Sequence, residues 1–197
     1  MYTRAVSRFS QGRFLISAAA PAQFPQDLGR EVAFVGRSNA GKSSAINAIA
    51  QRQGLARTSK TPGRTRLLNF FELGPQRRIV DLPGYGYASG PESEKRTWQA
   101  LIDALSRRES LQGLFVIVDS RRGILTADEG LIEWARPQQR LHVLLSKADK
   151  LTRNEGAKVL REAQQQLEGR ATAQLFSVRS KVGIQEAQDT LSAWLEA

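Results

Sequence analysis

The sequence predicts a single α/β domain, a mostly parallel β-sheet with helices on both faces. Three observations carry this. Short apolar runs alternate with longer stretches of helical period along the whole chain. The runs at 31–35, 114–118 and 141–145 lack the polar alternation of a strand with one wet face, so they read as buried on both sides. A length of 197 residues suits one core.

In order, the chain reads as follows. Residues 1–28 form an N-terminal strand and lead-in segment packed on the domain, which itself spans 29–197; an apolar run, Phe14 to Ala20, ends at Pro21. Glu31 to Val35 is a strand, and Ser43 to Arg52 carries alanine and isoleucine at helical spacing. Leu67 to Leu73 is strand-like; Gly74-Pro75 turns it into a second strand, Arg78 to Leu82. Glu92 to Arg108 is a helix with Trp98, Leu101, Ile102 and Leu105 on one face. Strands at 114–118 and 141–145 flank a helix at Thr126 to Ala135. A polar amphipathic helix, Arg153 to Gly169, a strand, Thr172 to Val178, and a helix, Ile184 to Leu195, complete the domain. Trp98 and Trp194 sit at helical spacing and are assigned to the core. The glycine- and proline-containing stretches 54–66 and 83–91 read as mobile loops.

Composition narrows the chemistry. With no cysteine and one histidine, His142, disulfides, thiolate metal centres and histidine-rich metal sites are excluded. No stretch approaches the ~20 apolar residues of a membrane span, and no lipidation signal is present. The expectation is a cytoplasmic protein, because the acid-free N-terminus reads as structure and not as a targeting signal. Lys and Arg number 29 against 19 Asp and Glu, a net charge of +10 that suits a polyanionic partner without specifying one.

Gly36, Arg37, Ser38, Asn39, Ala40, Gly41, Lys42 and Ser43 match G-x-x-x-x-G-K-[ST] between a strand and a helix, the context this motif requires. The glycines allow a wrapping turn whose N–H groups face phosphate oxygens, and the helix N-terminus adds a favourable dipole. Lys42 brings a cation to the β- and γ-phosphates, and the Ser43 hydroxyl ligates Mg²⁺. Asp81, Leu82, Pro83 and Gly84 end the 78–82 strand. A carboxylate there can hold Mg²⁺ through water, and Gly84 can bring its N–H against the γ-phosphate. Between the two motifs, Thr61 and Thr65 could each ligate Mg²⁺ while the γ-phosphate is present, the order–disorder device of a switch. Thr65 is chosen, next to the following strand and after a Pro-Gly pair.

Ser146, Lys147, Ala148 and Asp149 follow the 141–145 strand. Alone, the string is equally a helix start capped by Asp149. After the other motifs it selects GTP over ATP. Asp149 can accept from the guanine N1–H and 2-amino group, and adenine would leave that carboxylate unpaired. The Lys147 stem can lie along the base.

This ordered set resembles the translation-factor-related P-loop GTPases. The runs at 36–44, 60–65 and 81–88 are similar to those of the EngB (YihA/YsxC) family of bacterial GTPases, over about residues 9 to 195. The resemblance implies a Ras-like fold with a six-stranded sheet containing one antiparallel strand. It implies GTP and GDP as ligands, Mg²⁺ as the metal, and Gly63, Arg64, Thr65, Arg66 and Leu67 beside the nucleotide. It implies Phe176, Ser177 and Val178 near the guanine O6, met mainly through backbone N–H groups, and a K⁺ ion held by Asn39. It also implies binding to the large ribosomal subunit and its rRNA during assembly, a need for normal division and septation, and a monomer.

Three positions depart from that pattern: Ser146 for Thr or Asn, Val178 for Ser, and Arg66 for Gln. Tyr85 follows Gly84 where many GTPases carry the water-positioning glutamine. Unaided hydrolysis is therefore expected on the order of 10⁻³ s⁻¹ or below. The competing readings are a P-loop kinase or ATPase, opposed by Asp149; an RNA-binding module with a vestigial nucleotide site, opposed by Lys42, Ser43 and Asp81; and a GTPase of tRNA modification or membrane traffic.

Overall fold

The computed structural model of the chain describes residue 9 and residues 11–56, 67–85 and 92–196. Seven strands and five α-helices follow one another among the described residues: β1 (Arg13–Ala18), β2 (Arg30–Gly36), α1 (Lys42–Ile49), β3 (Leu68–Gly74), β4 (Arg77–Asp81), α2 (Glu92–Ser106), β5 (Leu111–Asp119), α3 (Thr126–Trp134), β6 (Arg140–Ser146), α4 (Arg153–Leu167), β7 (Thr172–Leu175) and α5 (Ile184–Glu196). All pair into one sheet of order β1-β3-β4-β2-β5-β6-β7. β3 runs antiparallel to both its neighbours, and every other pairing is parallel. The six-stranded sheet that the resemblance implies is present as β2–β7, and β1 extends it to seven by adding to the β3 edge.

Burial explains the unbroken apolar runs. On β2, Val32 and Phe34 enter one core cluster while Ala33 and Val35 enter the other; on β5, Phe115 and Ile117 oppose Leu114, Val116 and Val118. The first cluster lies under α1 and α5, where Phe34 stacks on Phe115 at 4.9 Å and Trp194 lies 5.1 Å from Phe115. The second takes Leu101, Ile102 and Leu105 of α2, Leu131 and Ile132 of α3, and Ala163 and Leu167 of α4. Trp194 is buried, while Trp98 is only partly covered against the second cluster.

Several boundaries differ from the sequence reading. β7 stops at Leu175, three residues before the expected Val178: the Phe176 amide still donates to Leu145 O of β6, but the Ser177 amide donates to Val182 O, which turns the chain off the sheet. α1 ends at Ile49 instead of Arg52, with Gln51 already left-handed at φ 50°. α2 ends at Ser106.

One polar cluster lies at the amino ends of the strands. Glu31 is fully buried and accepts from Arg108 Nε at 2.6 Å, Arg108 Nη2 at 2.9 Å and Arg78 Nε at 2.8 Å. The same guanidiniums donate to the Pro25 and Gln26 carbonyls, and Asp27 accepts from the Glu109 and Ser110 amides, which ties the segment before β2 to the sheet.

Candidate functional site

Every motif of the sequence reading that falls on described residues sits at the carboxyl end of a strand, on one rim of the sheet. β2 is the point where the strand order reverses, with β4 on one side and β5 on the other, and such a crevice is where open α/β sheets bind ligands.

The phosphate-loop segment, residues 36–43, runs from the end of β2 into α1. Gly41 caps α1 with φ at 100°, a conformation costly for any residue with a Cβ. Lys42 opens the helix, and its ammonium donates to the Asp81 carboxylate at the end of β4. The two side chains are 11% and 9% exposed. Burial pushes the Asp81 carboxyl above its ordinary value, and the Lys42 charge opposes that rise. Ser43 is the second residue of α1, partly exposed on the same rim.

Gly84 packs against the loop so closely that a Cβ there would lie 3.1 Å from the Ser38 Cα. The next residue is tied on two sides. Tyr85 O accepts from the Ser38 amide at 3.2 Å, and its hydroxyl donates to Asp128, a buried carboxylate that also accepts from the Leu125 amide at 2.8 Å. Burial, followed by the Asp128 contact, keeps this phenol far above its usual titration range.

At the other end, Ser146 is buried and its Oγ donates to Ala40 O at 2.6 Å. Lys147 adopts φ 58°, and its ammonium donates to Asn39 O at 2.6 Å and to Asp119 at 2.9 Å. Asp149 accepts from Ser177 Oγ at 2.7 Å, which holds its carboxyl below the ordinary value and leaves it an ionised acceptor at neutral pH. It is not spent as a helix cap, since Thr152 caps α4 through the Glu155 amide. The Ala148 amide donates to Phe176 O at 3.1 Å, so 146–149 and 176–178 form one unit. The Phe176 and Ser177 amides are thus engaged by the fold, while Val178 is 44% exposed.

Sequence reasoning missed Asp119, the Tyr85–Asp128 contact and the Glu31 cluster. Asp119 closes β5, and a cavity of about 170 Å³ opens beside it, lined among others by Arg37, Asn39, Arg122 and Lys147. Thr61, Gly63, Arg64, Thr65 and Arg66 lie outside the described residues, as does the chain after Tyr85 up to residue 91. Among the described residues no group of three carboxylate or histidine ligands could hold a metal alone. An Mg²⁺ here would need phosphate and water oxygens in addition to the Ser43 and Asp81 donors, the usual mode for this ion. No helix among the described residues is long and apolar enough to cross a membrane.

The fold and these loops define a P-loop GTPase domain, and the family described as "50S ribosome-binding GTPase" matches residues 31–147. The probable GTP-binding protein EngB of Coxiella burnetii (strain CbuK_Q154) is 46% identical over 194 residues, 96% of this chain and 95% of that protein. Its counterpart in Dechloromonas aromatica (strain RCB) is 48% identical over 195 residues, 95% and 89% of the two chains. Among solved structures, a probable GTP-binding protein engB superposes with TM-score 0.66 at 21% identity, covering 84% of this chain and 98% of that one. Era in complex with MgGDPNP and a 16S rRNA segment gives 0.64 at 19% identity, covering 85% and 57%; these two likenesses concern the fold. The chain belongs to the EngB family of GTPases.

Proposed function

We propose that this chain is a GTP-binding switch with slow intrinsic hydrolysis that assists assembly of the large ribosomal subunit and is needed for normal cell division and septation. The observation that carries the reading is the bracing of the phosphate loop by the base-reading loop: the Ser146 hydroxyl on Ala40 O and the Lys147 ammonium on Asn39 O. Two segments more than 100 residues apart in sequence are thereby held at one rim, one built for phosphate and the other offering the Asp149 carboxylate to N1–H and 2-NH₂ of guanine. The serine at position 146 supplies the bracing bond that Thr or Asn would give.

Lys42 and the amides of the phosphate loop bind the phosphates, with Gly84 and Thr65 at the γ end. Ser43, Thr65 and, through water, Asp81 hold Mg²⁺. The fit is good, because the buried Asp81 carboxylate faces the Lys42 ammonium, which the phosphates would draw off. The ion's contribution is charge on the β- and γ-phosphate oxygens. The Tyr85 hydroxyl points to Asp128 and so does not orient an attacking water, which supports slow unaided turnover. Asn39, whose side chain is exposed, is the residue offered to K⁺.

The family description and the +10 charge support the large subunit and its rRNA as partner, for a monomeric G domain over 29–197 acting in the cytoplasm. The test is co-sedimentation with large subunits in GTP, GDP and a non-hydrolysable analogue. Binding that depends on the nucleotide supports the switch. Equal binding in all three states, or binding to tRNA alone, would replace it with a nucleotide-independent or tRNA-directed role.

A further inference from the structure

The Lys147 ammonium sits at the tip of a four-carbon stem, and its position decides whether that stem can lie along a purine. Two acceptors fix it: the Asn39 carbonyl at 2.6 Å and Asp119 Oδ2 at 2.9 Å. The sheet puts Asp119 there. In the parallel β5–β6 register Asp119 stands opposite Ser146, one residue before Lys147, and the Ser120 amide donates to Ser146 O at 2.9 Å. Asp119 is held in turn by Arg121, through Nε at 2.9 Å, Nη2 at 2.7 Å and the backbone amide at 3.1 Å. The Asp119 side chain is 11% exposed, against 32% for Lys147 and 50% for Arg121, so the carboxylate is the sheltered member of the chain.

We propose that Asp119 is a positioning residue for guanine-nucleotide binding: it holds the Lys147 ammonium against the Asn39 carbonyl and so presents the lysine stem to the base. No motif assigns it a part, and its effect runs through its bond to the Lys147 ammonium. The Arg121 and Lys147 contacts also keep its carboxyl far below the ordinary carboxylate range, so it stays charged at any working pH. A competing, purely local role exists. Asp119 also shapes the turn after β5, accepting from the Arg121 amide and, through its carbonyl, from the Arg122 amide at 2.9 Å.

The inference rests on the nucleotide reading above, and its test separates the two. Dissociation of mant-GDP is followed by stopped flow for the wild type, Asp119→Asn, Lys147→Met and the double variant. Lys147→Met keeps an apolar stem and removes only the ammonium. Asp119→Asn keeps an acceptor for the turn and removes the charge. Asp119→Asn should release mant-GDP about tenfold faster, as expected for loss of a charge-assisted pair that acts on the off-rate, with a wild-type melting temperature. In the Lys147→Met background the same change should add less than twofold, because the group it positions is gone. Wild-type dissociation from Asp119→Asn, or the same tenfold factor in both backgrounds, would overturn the proposal and leave Asp119 a turn former. A wild type that binds no mant-GDP would overturn the nucleotide reading and this inference with it.

Discussion

Glu31→Gln tests the packing of the lower rim against a number. The carboxylate is fully buried and accepts three N–H bonds from two guanidiniums whose side chains are 11% and 8% exposed. An amide of the same shape keeps one acceptor oxygen, which can still take Arg78 Nε and Arg108 Nη2. Its NH₂, however, would point at Arg108 Nε, donor against donor, and the charge between the two sheltered cations would be gone, leaving Asp27 3.8 Å from Arg108 Nε. Breaking a buried pair in this way costs about 3–5 kcal/mol. At about 2–4 °C per kcal/mol for a chain of this length, the melting temperature should fall by about 6–20 °C. Urea unfolding should show a lower midpoint with an unchanged slope. Arg13→Ala is the comparison: it breaks the ion pair of Arg13 with Glu72, but that arginine side chain is 70% exposed, and the loss should stay below about 1 kcal/mol. A Glu31→Gln loss as small as that of Arg13→Ala would refute the argument, since burial would then have added nothing to the pair.

Four further outcomes follow from the upper rim and the core. Lys42→Ala should lower affinity for GTP at least a hundredfold, read by calorimetry, because it removes the phosphate cation and leaves the buried Asp81 uncompensated. Asp149→Asn should exchange the preference for GTP for one for XTP, seen in nucleotide competition, since the amide donates where the carboxylate accepted. Ser146→Ala should weaken GTP and GDP equally, by about three- to tenfold, the worth of one hydrogen bond to the Ala40 carbonyl; an effect on GTP alone would contradict a bracing role. His142, the single histidine, lies against Thr172, Gln174 and the Phe115 edge, and burial holds its imidazole below the ordinary value. The unfolded chain takes up that proton near pH ~6.5, so this contribution is complete above that value and declines as the pH falls below it toward the folded one. Urea midpoints should therefore drop between pH 7.5 and 5.5, and His142→Gln should flatten the change.

How much of this was legible in the sequence depends on the distance over which each signal acts. β2, β5 and β6 were visible as apolar runs because parallel strands bury both faces, and the phosphate loop was visible because all its parts are contiguous. Strand ends were less so: the stop of β7 depends on the Val182 carbonyl, which takes the Ser177 amide and which no local propensity reports. Glu31 read as the edge of an apolar run, since its arginines lie 47 and 77 residues further on. Asp119 was invisible for the same reason. Its partner is 28 residues away, and only the β5–β6 register brings them together. Asp149, by contrast, could be read as a helix cap or as a ligand group, and only the folded chain shows that Thr152 takes the cap of α4.

The Glu31 cluster and the nucleotide rim occupy opposite ends of the same strands, roughly five to seven residues apart along β2 and β4. Reinforcement and chemistry are thereby uncoupled in space. Hardening the far end around Glu31 need not stiffen the loops at the Lys42 and Asp149 end of the sheet. And because the chain carries no cysteine, a single thiol introduced beside Arg77 could anchor a dye or a surface tether without touching the working end.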